Sequence, residues 1–188
     1  MNNLINMEEE YLLNGIRMVW YGMDTSRSFY MKKVYSFKGK KLGVIKDIIL
    51  DLKNKSVLGF KVSDYTMFKK KDFLDVRDIK FVCEEKIIGV LSTGDGIRFS
   101  EYKHTDILDY FGVLKGALED IIIDMKTYKI KGIIISPGIL EKLSKGKEIL
   151  LSNNIEFKKD CILDLSSNNI TFKNITHKAM NYEFFKKA

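Results

Sequence analysis

The chain has 188 residues, of which 45% are apolar and 30% charged, the balance of a folded domain rather than a disordered one. No run approaches the roughly 18 uninterrupted apolar residues of a membrane span, and Glu8, Glu9 and Glu10 stand where a secretory signal would carry positive charge. A cytoplasmic protein is therefore expected, in which Cys83 and Cys161, lacking any C-x-x-C spacing, are small buried hydrophobes rather than a disulfide.

The net charge of +7 is unevenly placed. Residues 1–30 hold two basic and four acidic side chains, residues 31–91 hold 15 and 8, and residues 92–188 hold 15 and 13. The excess includes Lys32, Lys33, Lys38, Lys40, Lys41 and the run Lys69, Lys70, Lys71. Such a patch attracts phosphate backbones, yet only four of the 32 basic residues are arginine, whose planar fork suits bidentate recognition better.

In chain order, the first 30 residues show Leu12, Ile16, Val19 and Met23 at helical spacing. This reads as an N-terminal arm or amphipathic helix, with translation from Met31 as the alternative. Next, Val44–Leu50, a turn over Asp51–Lys55 and Val57–Val62 read as a strand, a turn and a returning strand. Two more strands are expected near Ile79–Cys83 and Lys86–Leu91, and Thr93-Gly94-Asp95-Gly96 reads as a turn. The second half repeats the strand pair as Leu118–Ile123, Asp124–Lys129 and Ile130–Ile135.

That repetition is quantitative. Shifted by 73 positions, residues 36–63 fall on residues 109–136 with nine of 28 columns identical, against about two by chance. The identities include Gly39/Gly112, Gly43/Gly116, Asp47/Asp120, Asp51/Asp124 and Gly59/Gly132. The match continues past a three-residue insertion around Pro137 and Gly138, and the two histidines, His104 and His177, coincide. Asp51 and Asp124 sit where a side chain bonds backbone N–H groups and holds a turn. Gly59 and Gly132, inside strands, mark a bulge or sharp bend. The expected organisation is an arm over 1–30, a first repeat over 31–105 and a second over 106–188.

The pattern Gly39-x-x-x-Gly43-x-x-x-Asp47-Ile-x-x-Asp51, a short turn and a strand holding Gly59 resembles the opening of a PRC-barrel domain, and Phe73-Leu74-Asp75-Val76-Arg77-Asp78-Ile79 resembles that family's approach to its closing strands. Gly112, Gly116, Asp120, Asp124 and Gly132 carry the resemblance a second time. It implies an all-β chain of two tandem six-stranded barrels. Domains of this kind occur in the H subunit of photosynthetic reaction centres and in a bacterial factor that matures the small ribosomal subunit. They serve as docking and assembly elements and carry no catalytic motif.

The residues agree with that absence. Asp47 and Asp51 lie about 13 Å apart on one extended strand, too far for a glycosidase pair. Neither histidine has the neighbours of a metal site, and each precedes a segment read as a helical turn, Thr105–Leu108 in the first case. No phosphate-binding glycine frame or nucleophile elbow is present, so no catalytic residue, cofactor or metal is expected. The expected function is a non-enzymatic cytoplasmic adaptor that docks a protein partner. An RNA- or ribosome-associated assembly factor is the alternative, and a domain sensing a small ligand between the barrels is the third. The first barrel, through Lys38, Lys40, Lys41, Lys69, Lys70 and Lys71, is expected to recruit the partner, with the second as its packing partner.

Overall fold

The computed structural model describes residues 22–63, 71–136 and 148–166. After a short strand β1 (Met23–Thr25) come β2 (Lys33–Tyr35), β3 (Lys41–Asp51), β4 (Ser56–Ser63), β5 (Phe73–Asp75), β6 (Ile79–Val82) and β7 (Lys86–Gly89). A link through β8 (Ile97–Arg98) and the one-turn helix α1 (Phe99–Tyr102) leads to β9 (Asp106–Leu108) and β10 (Leu114–Asp124). The chain continues through β11 (Ile130–Ser136), β12 (Glu148–Leu151), β13 (Ile155–Phe157) and β14 (Cys161–Asp164).

The two sheets have the same topology. The first runs β5-β4-β3-β2-β7-β6 and the second β12-β11-β10-β9-β14-β13, which is the same order counted from β2 and from β9. The fold is thus all-β and built of two barrels. Even the irregularities are duplicated: bulges fall between Ile45 and Asp47 and between Ile49 and Leu50, and again between Leu118 and Asp120 and between Ile122 and Ile123. Each bulge bends its ladder and sharpens the twist, so a long strand such as β3 can curl around a small core. The end strands β5 and β6 meet through the 3-10 turn Val76–Asp78, with no ladder between them among the described residues.

Gly59 and Gly132 lie beside the second bulge of each copy, opposite Ile49 and Ile122. A Cβ on Gly59 would stand 2.4 Å from the Leu74 carbonyl oxygen, and one on Gly132 would stand 2.8 Å from that of Leu150. Close approach of the neighbouring strand therefore explains both glycines.

The core is one apolar cluster spanning both halves, from Val34, Ile45, Ile48 and Phe60 to Ile107, Leu118, Ile121 and Ile133. Three further features join the barrels. The hairpin turns meet, with the Val57 N–H donating to the Tyr128 carbonyl and the Ile130 N–H to the Lys55 carbonyl, both at 2.8 Å. The Lys55 ammonium caps the Ser152 and Ile155 carbonyls of the second barrel, each at 2.7 Å. Finally, the short strands cross over: β1, ahead of the first barrel, pairs with β10 of the second, while β8, ahead of the second, pairs with β3 of the first.

Two local expectations need correction. Met23 begins a strand rather than continuing a helix, because its backbone pairs with Asp124 on β10. Leu12, Ile16 and Val19 lie outside the described residues. Residues 106–108 of the expected turn after His104 form β9, because both edges of that segment find partners, β10 and β14. His104 is exposed in a left-handed conformation (φ 70°), and His177 lies outside the described residues.

Candidate docking faces

The repeated aspartates have structural partners. The Asp51 carboxylate accepts from the Asn54 N–H (2.9 Å) and side-chain amide (2.7 Å), and these bonds hold it below the usual carboxylate range. Burial pushes Asp124 up, but the Thr127 and Lys126 N–H groups outweigh it and its pKa is also lowered.

Asp47 and Asp120, both buried, receive the crossed-over arms. The Ser100 N–H reaches Asp47 at 3.1 Å with the Ser100 hydroxyl on the other oxygen, and the Ser26 N–H reaches Asp120 at 3.1 Å with its hydroxyl on the same oxygen. Arg27 adds contacts to Asp120 (3.2 Å) and Glu119 (2.7 Å). Tyr30 lies within reach of Asp47, and its pKa is raised, first by burial and then by the Asp47 and Asp120 charges. All four carboxylates thus hold turns or arms.

Several lysines counted in the basic excess are structural too. Lys32 is buried and donates to the Cys83 and Glu84 carbonyls at 2.9 and 2.8 Å. Lys61 bonds Asp72 and the Gly94 carbonyl. Second-barrel Lys115 pairs with Asp164 at 2.5 Å and Glu148 at 3.5 Å. Leu42 is the counterpart of Lys115 at the shift of 73.

Among the exposed lysines, Lys38, Lys40 and Lys41 cluster at the β2–β3 turn. Its backbone is closed by the Ser36 N–H on the Lys40 carbonyl (2.8 Å) and the Gly39 N–H on the Ser36 carbonyl (2.9 Å), with Gly39 at φ 75°. A left-handed residue at that place favours glycine. Phe37, Lys38, Lys40 and Lys41 project from it, and Phe37 is 56% exposed. Pairing of β2 with β7 places Lys33 beside Lys86 and Tyr35 beside Ile88, on the side of the sheet opposite the buried Val34 and Ile87. A concavity of about 260 Å³ opens there, lined by Tyr35, Ser36, Phe37, Gly39, Lys86 and Ile88. Lys71 is exposed but precedes β5, three inter-strand steps from β2, roughly 14 Å at about 4.8 Å each. Lys69 and Lys70 lie outside the described residues.

The β9–β10 turn of the second barrel has the same backbone and opposite chemistry. The Asp109 N–H donates to the Val113 carbonyl (2.9 Å), the Gly112 N–H to the Asp109 carbonyl (3.0 Å), and Gly112 has φ 80°. Where the first barrel carries Phe37, Lys38, Lys40 and Lys41, the second carries Tyr110, Phe111, Val113 and Leu114, all at least 60% exposed. On the adjoining sheet face Asp106 lies beside Cys161 and Leu108 beside Leu163, at the positions held by Lys33 with Lys86 and by Tyr35 with Ile88. Four apolar residues around a turn glycine were the available signal in the sequence for this tip.

Among the described residues no three His, Cys, Asp or Glu side chains gather as a metal would require, and no helix is long and apolar enough to cross a membrane. Sheet order, duplicated bulges and crossed arms define a protein made of two small barrels related by internal duplication. Residues 22–87, from β1 into β7, match the family model of the PRC-barrel domain. The second barrel repeats that strand order outside the matched region. No curated protein matches the chain.

Proposed function

We propose that the protein is a non-enzymatic cytoplasmic adaptor that docks a protein partner on the apolar tip of its second barrel. The observation that carries this reading is the divergence of one turn. Core, bulges and arms are duplicated between the barrels, while the β9–β10 turn has become Tyr110-Phe111-Gly112-Val113-Leu114. Aromatic anchors dominate the binding energy of protein interfaces and lysine is depleted in their cores, so this turn suits protein docking better than its lysine-rich counterpart. The expected division of labour is thereby revised, with the second barrel as the gripping element rather than only a packing partner. The PRC-barrel match supports a docking role over a catalytic one.

The test is affinity capture by the full chain and by a Tyr110→Ser/Phe111→Ser variant. Both side chains are exposed, so the variant should unfold at the same urea concentration as the parent. It should lose the captured proteins by tenfold or more, as expected when an anchor worth about 2 kcal/mol is removed. An unchanged set of captured proteins would sink the reading.

A further inference from the structure

The basic face of the first barrel has a different chemistry from the apolar tip and calls for a different ligand. Lys33, Lys38, Lys40 and Lys86 are exposed and have no ion-pair partner among the described residues. Two of them, Lys33 and Lys86, are direct neighbours on parallel strands, where like charges repel. Lys86 lines the concavity of about 260 Å³ together with Tyr35 and Phe37, Lys33 is its strand neighbour, and Lys38 and Lys40 flank Gly39 of the same wall. Lysines around aromatic side chains in a groove combine the two elements of single-strand recognition, a positive track for the backbone and faces on which bases stack.

We infer that this groove binds single-stranded nucleic acid. Duplex reading through an inserted helix is disfavoured, because the longest helix among the described residues is the four-residue α1. Addition of an acidic peptide as an extra strand is disfavoured as well. The groove's central strand β2 is paired on both edges, to β3 and to β7, and offers no free backbone. With lysine point charges and no arginine fork at the site, recognition is of backbone and stacked base rather than of sequence. The second barrel cannot share this role, since Asp106, Phe111, Val113 and Cys161 replace Lys33, Lys38, Lys40 and Lys86.

The experiment is fluorescence anisotropy of the full chain with a short labelled oligouridylate over a salt series. Four lysine–phosphate contacts predict a log–log slope of about −3, from roughly −0.7 per contact on single strands. Phe37→Ala should weaken binding by about fivefold to a hundredfold with the slope unchanged. Lys38→Glu/Lys40→Glu should weaken it and flatten the slope by about half. Lys53→Glu/Lys126→Glu, also exposed but on the β3–β4 and β10–β11 turns away from the groove, should have little effect at moderate salt. The inference is overturned if the oligouridylate fails to bind at low salt or if a duplex of equal length binds as tightly. It is equally overturned if Lys53→Glu/Lys126→Glu weakens binding as much as the groove variant, or if polyglutamate competes with equal strength while Phe37→Ala has no effect. Since Tyr110 and Phe111 play no part in this assay, its failure leaves the protein-docking proposal standing.

Discussion

Removing everything before Met31 should be severely destabilising. The truncation deletes Phe29, fully buried and stacked on Phe60 at 4.8 Å between ring centroids, and loss of such a side chain to alanine alone costs about 3–5 kcal/mol. It also removes Ser26 and Arg27 from Asp120, a carboxylate 2% exposed, leaving it chiefly the Ile121 N–H at 2.8 Å. An under-satisfied buried acceptor costs about 1–3 kcal/mol more. The loss rivals the roughly 5–15 kcal/mol that stabilises a typical domain. Urea unfolding followed by far-ultraviolet circular dichroism should show the midpoint of residues 31–188 lowered by about 2 M or more, given slopes of about 1–3 kcal/mol/M. If the truncated chain yields no folded protein, the full chain with Phe29→Ala or Ser26→Ala gives a graded reading. The reasoning is refuted if the truncated chain, or Phe29→Ala, unfolds at the parental midpoint.

Three other outcomes are expected. Asp51→Ala should cost about 0.5–2 kcal/mol at neutral pH, as for a lost capping side chain. Because the folded pKa of Asp51 is lowered, its contribution is present above the unfolded value near 3.9 and lost as pH falls through the folded one. Acid titrations of the variant and parent should therefore converge at low pH. Tyr102 donates to the Lys158 carbonyl at 2.6 Å, and burial, with Cys161 and Asp160 nearby, pushes its pKa up to about 12. Its raised folded pKa makes that stabilisation complete below about pH 10 and lost as pH rises toward 12. Tyr102→Phe should cost about 0.5–1.5 kcal/mol at pH 7 and remove that share of alkaline destabilisation, measured by urea midpoints across the pH range. Gly59→Ala should destabilise more than Gly132→Ala, by about 1–3 kcal/mol, because its Cβ meets carbonyl oxygen at 2.4 rather than 2.8 Å; equal thermal midpoints would contradict this.

The duplicated barrels were legible because their strands are long, apolar and separated by turns whose chemistry is local. Asp51 bonds a residue three positions away, and nothing distant is needed to infer its role. Asp47 and Asp120 were harder. Their partners Ser100 and Ser26 lie 53 and 94 positions away and follow strands of two and three residues, too short to show any period. The basic excess was legible as composition, but Lys32, Lys55 and Lys61 look no different in sequence from Lys38 and Lys40. Only the fold separates lysines that cap buried carbonyls from lysines that face solvent. Lys86 joined the candidate face through a parallel strand pair, which local pattern does not reveal.

The crossing of β1 and β8 has a consequence during synthesis. As the first barrel leaves the ribosome, its β3 edge stays open until Ile97 and Arg98 emerge, and Asp47 lacks its seryl cap until Ser100 follows. Met23–Thr25 must wait longer still, since their place is on Ile122–Asp124, about a hundred residues downstream. Met23–Thr25 are thus among the last of the described residues to reach their native partners. Closure of the second barrel then fastens Met23–Thr25, whereas the arm of the first barrel comes from the link that precedes the second. Contacts of such sequence separation are entropically slow to form and expose unpaired strand edges meanwhile. A chaperone or an early-bound partner would meet the nascent chain in that interval.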